Sequence, residues 1–198
     1  MTGSQTACQG LRCWGYAGVR YAVHAVAHEL PCDKELILAT RTVFYSFHYD
    51  RDVFRVQLVR NIGAIDGSPA LGGQEWETVR LRSRDAVVKW IDEQMSYKRA
   101  VVVLIGRETA SRPWVRYEIE KAWNANKPLV GVYIHGLSSL GTADSMGANP
   151  FDAVDGVVGV PVFDPTRRDH LGRIDTQATY NYLKDHLPGW VDRAKARA

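Results

Sequence analysis

From residue 41 onward, short apolar runs alternate with segments whose apolar positions recur every three or four residues. The first run, 42–47, is β-branched and aromatic, which predicts a strand. Asp50 is suited to cap a following helix over about 51–61. The apolar positions of that helix are Val53, Phe54, Val56, Leu58 and Val59. A second helix is predicted from about Ser83 to Met95 by the same spacing.

The alternation continues through the second half of the chain. Residues 100–106 are an unbroken apolar run, which is typical of a central parallel strand covered on both faces. The later predicted elements are a helix over 114–126 with Pro113 near its start, strands at 129–134 and 160–163, and a closing helix over 176–194 interrupted near Pro188 and Gly189. Regular alternation of strand and helix predicts an α/β domain of three layers, with a parallel sheet of four or five strands.

Other segments lie outside this alternation. Residues 1–40 are rich in Gly, Ala, Cys and small polar residues, which predicts an N-terminal extension that is disordered or weakly structured. Residues 63–74 are glycine-rich and loop-like. Residues 138–150 form a long polar loop, and such loops in compact domains are often functional. The predicted organisation is therefore the extension, a domain over 41–190 and a C-terminal tail over 191–198.

Composition narrows the classes of protein to consider. The 198 residues carry a net charge of only +3, and basic residues are scattered among acidic ones, which argues against a nucleic-acid partner. No stretch reaches the roughly 18 apolar residues that a membrane span needs. The three cysteines, Cys8, Cys13 and Cys32, all precede the domain. They match no standard zinc spacing with nearby histidines, so no metal site is predicted, and a domain without disulfides is consistent with the cytoplasm.

The segment Trp114-Val-Arg-Tyr-Glu118 carries the candidate chemistry. Residues four apart lie on one face of a helix, so Trp114 and Glu118 can line one pocket. Val115 and Ile119 belong to the predicted buried stripe, and Glu118 lies at its flank. Glu120 is predicted to face solvent. Glu118 is therefore the carboxylate expected to lie near the core.

A partly buried carboxylate at the C-terminal edge of a parallel sheet lies where open α/β folds bind their ligands. From spacing alone, the alternative is a structural glutamate paired with Arg116, Lys121 or another surface base. Spacing does not decide between these two roles.

Four segments, taken in their order along the chain, resemble the TIR-like family, and most closely the TIR-like proteins of the bacterial Thoeris anti-phage defence system. They are Val43 to Asp50, Trp90 to Met95, Val101 to Thr109, and Trp114 to Ile119 running on to Gly131 to His135. Each motif is weak alone, but together they are specific, and they cover roughly residues 41–136. The resemblance implies a flavodoxin-like sheet and chemistry on NAD as a substrate, with no separate cofactor.

The resemblance also implies a reaction and its catalytic residue. In catalytic TIR domains a glutamate of a Trp-x-x-x-Glu element is essential, and Glu118 and Trp114 match that element. The implied enzyme is an NAD glycohydrolase or ADP-ribosyl cyclase that cleaves the nicotinamide–ribose bond and makes an ADP-ribose signal. A downstream effector that receives the nucleotide product and assembly into a homo-oligomer are also implied.

The residues after the first strand complete the expected substrate site. Trp114 and Phe47 can stack on the rings of the dinucleotide. Many catalytic TIR domains have arginines where this chain has Phe47, His48 and a tyrosine. His48 is mostly neutral near pH 7 and would hold a pyrophosphate less firmly, which Arg51 could compensate. Asp50 is also included among the expected substrate-binding residues. As alternatives, Phe47 can be plain core and His48 a solvated loop residue.

Several other functions compete with the NAD-processing hypothesis. A non-catalytic TIR-type interaction module needs only complementary surfaces and stays open. A nucleoside deoxyribosyltransferase-like enzyme would also use a glutamate, but on a nucleoside without pyrophosphate. A phospho-receiver is disfavoured because its central strand should end in an aspartate, whereas this strand ends at Gly106. A dinucleotide-dependent redox enzyme is disfavoured because no glycine-rich fingerprint follows the first strand.

Overall fold

In the described part of the chain, four parallel strands follow one another in chain order and form the central sheet. The computed structural model describes residues 42–62 and 83–197. Within them, the strands are β1 (Val43–Ser46), β2 (Ala100–Ile105), β3 (Leu129–Tyr133) and β4 (Val162–Phe163). Ser46 at the end of β1 pairs with Val103 of β2. The predicted α/β, flavodoxin-like TIR-like fold with a parallel sheet is confirmed.

Helices cover both faces of this sheet. Those of the described residues are α1 (Tyr49–Arg60), α2 (Arg84–Ser96), α3 (Pro113–Asn124) and α4 (Thr176–Val191), with short 3-10 turns at Thr109–Ser111 and Pro150–Ala153. Residues of α1 and α4 pack on one face, here called the α1/α4 face, and those of α2 and α3 pack on the other, the α2/α3 face. Residues 1–40 and 63–74, for which an extension and a loop were predicted, lie outside the described residues.

Strand β1 is buried along its whole length, and its side chains alternate between the two faces as a strand requires. Val43 and Tyr45 belong to the core of the α1/α4 face. Phe44 belongs to the core of the α2/α3 face. The same alternation places the side chain of Ser46 on the α2/α3 face, toward helix α3.

Helix α1 departs from the prediction at its start and along its inner face. It begins at Tyr49 with His48 as the N-cap residue, so the prediction of Asp50 as the cap was wrong. The first turn is closed instead by the backbone, since Asp52 N donates to His48 O at 3.0 Å. Phe54, counted among the apolar positions, is 55% exposed, while Asp52 and Arg55 are buried in the helix. The ion pair of Asp52 and Arg55 therefore shares the buried face of α1 with Val56 and Val59.

The predicted interruption of the last helix near Pro188 was also wrong, since α4 runs unbroken to Val191. Pro188 lies in the last turn of α4. Its missing N–H removes one backbone hydrogen bond close to the end of the helix, where few further bonds follow. Trp190, in the same turn, stacks on Phe163 of β4 with ring centroids 4.8 Å apart. This packing holds the end of α4 on the sheet.

The segment predicted as a C-terminal tail, 191–198, begins inside α4 and then reaches the sheet. Lys195 and Leu129 form an isolated antiparallel bridge. Its two backbone hydrogen bonds measure 2.8 and 2.9 Å. The end of the described chain therefore pairs with the central sheet. In the described ranges, no helix combines the length and apolar character needed to cross a membrane.

Candidate active site

Ser46 and Glu118 meet at the C-terminal edge of the sheet, on the α2/α3 face. Ser46 Oγ donates a hydrogen bond to Glu118 Oε2 at 2.5 Å. Ser46 is fully buried and Glu118 is only 5% exposed. The carboxyl reaches this position because Glu118 lies in α3 directly before the core residue Ile119. The predicted position of Glu118 near the core is confirmed, and Ser46 is a partner that sequence reasoning missed.

The environment of Glu118 is apolar and carries no paired base in the described residues. Burial raises the pKa of Glu118 from its usual value to about 8, and the hydrogen bond from Ser46 opposes that rise. The two bases expected in the structural alternative bind elsewhere. Lys121 binds Asp92 at 2.6 Å, and Arg116 donates to a backbone carbonyl. A buried carboxyl with a neutral partner is more typical of a functional site than of a surface ion pair.

Trp114 lies one turn before Glu118 on α3. It is half-buried and packs against the core of the α2/α3 face. Its ring meets Tyr117 edge-to-face, with centroids 6.2 Å apart. Glu120 is exposed, as predicted. Trp114 and Glu118 therefore share the first two turns of the helix, and stacking of Trp114 on a substrate ring stays a prediction.

Phe47 lies on the other side of the sheet from Glu118. It packs against the core of the α1/α4 face, and its ring centroid is 6.0 Å from that of Tyr49. The reason is the alternation of β1, which sends neighbouring side chains to opposite faces. The structure thus brings Ser46, and not Phe47, onto the face of Glu118.

His48 is 6% exposed, so its alternative reading as a solvated loop residue was wrong. Neither ring nitrogen has a hydrogen-bond partner among the described residues. Nε2 lies 3.9 Å from Oδ2 of Asp50, whose side chain is more than half exposed. Burial lowers the pKa of His48, and nearby Arg112 lowers it further, while Asp50 and Glu108 act in the opposite direction. The imidazole is therefore neutral near pH 7.

Arg51 joins three segments at this edge of the sheet. Its Nε donates to Asp144 Oδ2 and its Nη1 to Glu108 Oε1, both at 3.1 Å. Glu108 follows β2, and Asp144 belongs to the long loop after β3. The arginine expected to help hold a pyrophosphate thus has two carboxylate partners in this structure.

Asp144 was missed by sequence reasoning, although the long polar loop that carries it was singled out. Besides Arg51, it lies 4.0 Å from Arg55 and 4.0 Å from Arg107. Burial raises the pKa of Asp144, but hydrogen bonds from Arg51 and a backbone N–H outweigh it and hold the pKa below its usual value. The predicted loop therefore supplies an ionised carboxylate to the edge of the sheet.

Asp52 is the other buried acid that the sequence did not reveal. It is fully buried, and Oδ1 accepts a hydrogen bond from Arg55 at 3.3 Å. Its Oδ2 packs so closely on Gly106, at the end of β2, that a Cβ at that position would overlap it. Burial raises the pKa of Asp52, and Arg55 opposes the rise. The available sequence signal was the separation of three residues between Asp52 and Arg55, which lets two side chains of opposite charge meet on a helix.

Within 42–62 and 83–197, no three potential ligands are grouped to share a metal ion.

The sequence that forms this edge of the sheet matches a known protein family. Residues 44–139 match the family described as Thoeris protein ThsB, TIR-like domain. The match contains β1, β2, β3 and the pair Ser46 and Glu118. Residues 44–139 are a ThsB-type TIR-like domain.

A relative of this chain occurs in Bacillus cereus (strain MSX-D12). It is 35% identical over 118 residues, which are 57% of this chain and 62% of the relative. It is named as a cyclic ADP-D-ribose synthase, ThsB1, an assignment that the name itself marks as provisional. The chain thus matches 62% of the length of this relative, so the likeness concerns the domain and not the relative's whole length.

Proposed function

We propose that this ThsB-type TIR-like domain cleaves the nicotinamide–ribose bond of NAD and makes an ADP-ribose signal. The observation that carries the proposal is the buried carboxyl of Glu118, which lies at the ligand-binding edge of the sheet and bonds to the neutral hydroxyl of Ser46. The name of the B. cereus relative supports the cyclic form of the product.

The reaction needs negative charge next to the ribose. When the bond to nicotinamide breaks, positive charge develops on the ribose, and a nearby carboxylate stabilises it. An apolar surrounding strengthens this attraction. Glu118 is placed in such a surrounding by α3 and the end of β1.

The raised pKa of Glu118 gives substrate binding a second effect. A carboxyl with a pKa of about 8 is mostly protonated at pH 7 in the unliganded protein. The nicotinamide ring of NAD is cationic, and a cation beside a carboxyl lowers its pKa. Binding of NAD would therefore favour loss of the proton to solvent and leave the carboxylate, with Ser46 still donating to it, beside the ribose.

The product depends on the group that attacks the ribose. Attack by water releases nicotinamide, a proton and linear ADP-ribose, while attack by a hydroxyl or an N–H nitrogen of the same molecule releases nicotinamide and a proton and gives a cyclic product. Glu118 and Ser46 are both buried, and burial limits the access of water. This favours the cyclic product, which would then act on a downstream effector.

The remaining substrate contacts are proposed from the residues around Glu118. Trp114, half-buried one turn away, is suited to stack on a ring of the dinucleotide. Arg51 would bind pyrophosphate by exchanging its present carboxylate partners for phosphate oxygens. Asp50 lies at the exposed rim near His48. Phe47 has the least support, because it packs on the opposite face.

The proposal is tested by product analysis with liquid chromatography and mass spectrometry. NAD is incubated with wild type, Glu118→Gln and Glu120→Gln, both as purified proteins and in lysate from phage-infected cells, because a trigger or a homo-oligomer can be required. We expect a cyclic or linear ADP-ribose product with wild type and with Glu120→Gln, whose site is exposed on the same helix, and none with Glu118→Gln. Absence of NAD turnover by wild type in both settings would instead support a non-catalytic interaction module.

A further inference from the structure

His48 is buried among charged neighbours and has two unfilled hydrogen-bonding positions. Its side chain is 7% exposed, and neither Nδ1 nor Nε2 has a partner in the described part of the chain. A buried polar group without a partner costs about 1–3 kcal/mol. Such groups are rare in folded proteins, and a binding site is one recognised reason for them.

Strand alternation continued beyond β1 predicts that His48 lies on the same face as the catalytic candidate. His48 follows Ser46 by two residues and has an extended conformation, with φ −82° and ψ 104°. In extended chain, side chains two residues apart lie on the same face, about 7 Å apart along the strand. Ser46 binds Glu118, so the same spacing predicts that the imidazole lies on the side of the sheet that carries this pair.

We propose that His48 recognises an uncharged group of the substrate that both donates and accepts hydrogen bonds, such as a carboxamide or a hydroxyl. This inference rests on the proposed function and identifies the part of the nucleotide that this position contacts. It differs from the role expected by analogy with arginine, which is to hold the pyrophosphate.

The chemistry of the ring supports a neutral ligand group. Burial and Arg112 both lower the pKa of His48, which keeps it uncharged. A neutral imidazole offers one N–H donor and one acceptor nitrogen. A phosphate ester can use the donor but gives nothing to the acceptor. A carboxamide or a hydroxyl can bond whichever ring nitrogen faces it, because it can accept from the N–H or donate to the other nitrogen.

Two parts of NAD carry this chemistry near the bond that breaks. The nicotinamide has a carboxamide, and the adjoining ribose has hydroxyls. Either would lie within several ångströms of a ribose carbon held beside Glu118. The cationic Arg51, which already binds two carboxylates, is the better partner for the pyrophosphate.

The test compares ligands that differ in one group. Dissociation constants are measured by calorimetry for NAD, for 3-acetylpyridine adenine dinucleotide, which lacks the amide N–H, and for NAD lacking one hydroxyl of the nicotinamide ribose. ADP-ribose serves as the ligand that keeps the pyrophosphate and lacks nicotinamide. The proteins are wild type, His48→Ala, His48→Gln, which retains a donor and an acceptor, and His48→Arg. His170→Ala, at an exposed loop position, is the control, and each variant is first checked for an unchanged circular dichroism spectrum.

We expect wild type to prefer NAD over one of the two modified dinucleotides by about tenfold or more, because a site built to bond a polar group rejects the analogue that lacks it. His48→Ala should lose that preference, His48→Gln should keep part of it and His170→Ala all of it. The analogue that wild type binds less tightly shows whether His48 bonds to the amide or to the hydroxyl. Equal discrimination in wild type and His48→Ala would overturn the inference while leaving NAD turnover as proposed. Weaker binding of ADP-ribose by His48→Ala, with recovery in His48→Arg, would assign His48 to the pyrophosphate instead. If wild type neither binds nor converts NAD, both this inference and the proposed function fail.

Discussion

The hydroxyl of Ser46 donates a 2.5 Å hydrogen bond to the carboxyl of Glu118, and both side chains are buried. The contact links the last residue of β1 to the middle of α3, 72 positions apart in sequence. It fixes which carboxyl oxygen is occupied by the protein, since Oε2 accepts from Ser46. In the proposed reaction, Oε1 would be the oxygen that faces the substrate.

Ser46→Ala is expected to lower kcat for NAD by about 10–100-fold with little change in KM. A hydrogen bond to a charged group contributes about 1.5–3 kcal/mol, and about 1.4 kcal/mol corresponds to a tenfold change in rate. The loss falls on kcat because Ser46 contacts Glu118 rather than the substrate.

The matched control is Ser46→Thr, which retains the hydroxyl on a side chain suited to a strand. It should recover a large part of kcat. Steady-state kinetics with both variants decide the matter. A wild-type kcat in Ser46→Ala would show that the hydroxyl does not position the carboxyl, even if the variant were less stable.

The buried carboxyl of Glu118 should make stability depend on pH. Its folded pKa, about 8, lies above its usual value, so the folded protein holds this proton over a range where the unfolded chain has lost it. The resulting loss of stability is absent below the pKa of Glu118 in the unfolded chain and grows as pH rises toward 8. The free energy of unfolding should therefore fall with pH in this window, by at most about 1.4 kcal/mol per pH unit from this residue.

Glu118→Gln removes the titration while keeping nearly the same shape. Urea unfolding of both proteins between pH 5 and pH 8.5, a range set by the raised pKa, should give curves that separate as pH rises, with the variant relatively more stable at the alkaline end. Parallel curves would mean that Glu118 does not titrate within this window.

Gly106 should not tolerate a side chain. A Cβ at this position would overlap the carboxylate of Asp52, which is fully buried and bound to Arg55, so it has little room to move. Gly106→Ala is expected to destabilise the domain by about 1–3 kcal/mol, as overpacking of a core does. The measurement is the urea midpoint.

Gly189 provides the opposite case in the same chain. It lies in α4, and a Cβ there would meet nothing within 4 Å. Gly189→Ala should stabilise the domain by up to about 1 kcal/mol, because alanine loses less backbone entropy in a helix. A destabilised Gly189→Ala, or an unaffected Gly106→Ala, would contradict the packing described for these two positions.

Local sequence predicted most of the elements because their signals are local. The apolar run of β2 and the helical spacing of Val115 and Ile119 both require burial in any compact arrangement, and both are buried. Pro113 begins α3 as predicted, since its missing N–H has no intrahelical partner at that position. The same spacing placed Glu118 near the core and Glu120 in solvent.

Where the sequence misled, a tertiary contact outweighed the local signal. Residue type predicts that Phe54 is buried and Arg55 exposed, and the structure shows the reverse. Arg55 is buried because it binds Asp52 and the carbonyl of Leu137. Pro188 normally ends a helix, but the stacking of Trp190 on Phe163 holds the last turn in place.

The fold class, the face of α3 that carries Glu118, and the likeness to the TIR-like family follow from periodicity and motif order, which are properties of the chain alone. Three further points depend on tertiary packing: Ser46 is the partner of Glu118, Phe47 lies on the opposite face, and His48 is buried with no hydrogen-bond partner among the described residues. These facts depend on how β1, α1 and α3 pack against one another. The pKa of a carboxyl depends on that packing too, since burial, and not sequence spacing, sets the cost of its charge.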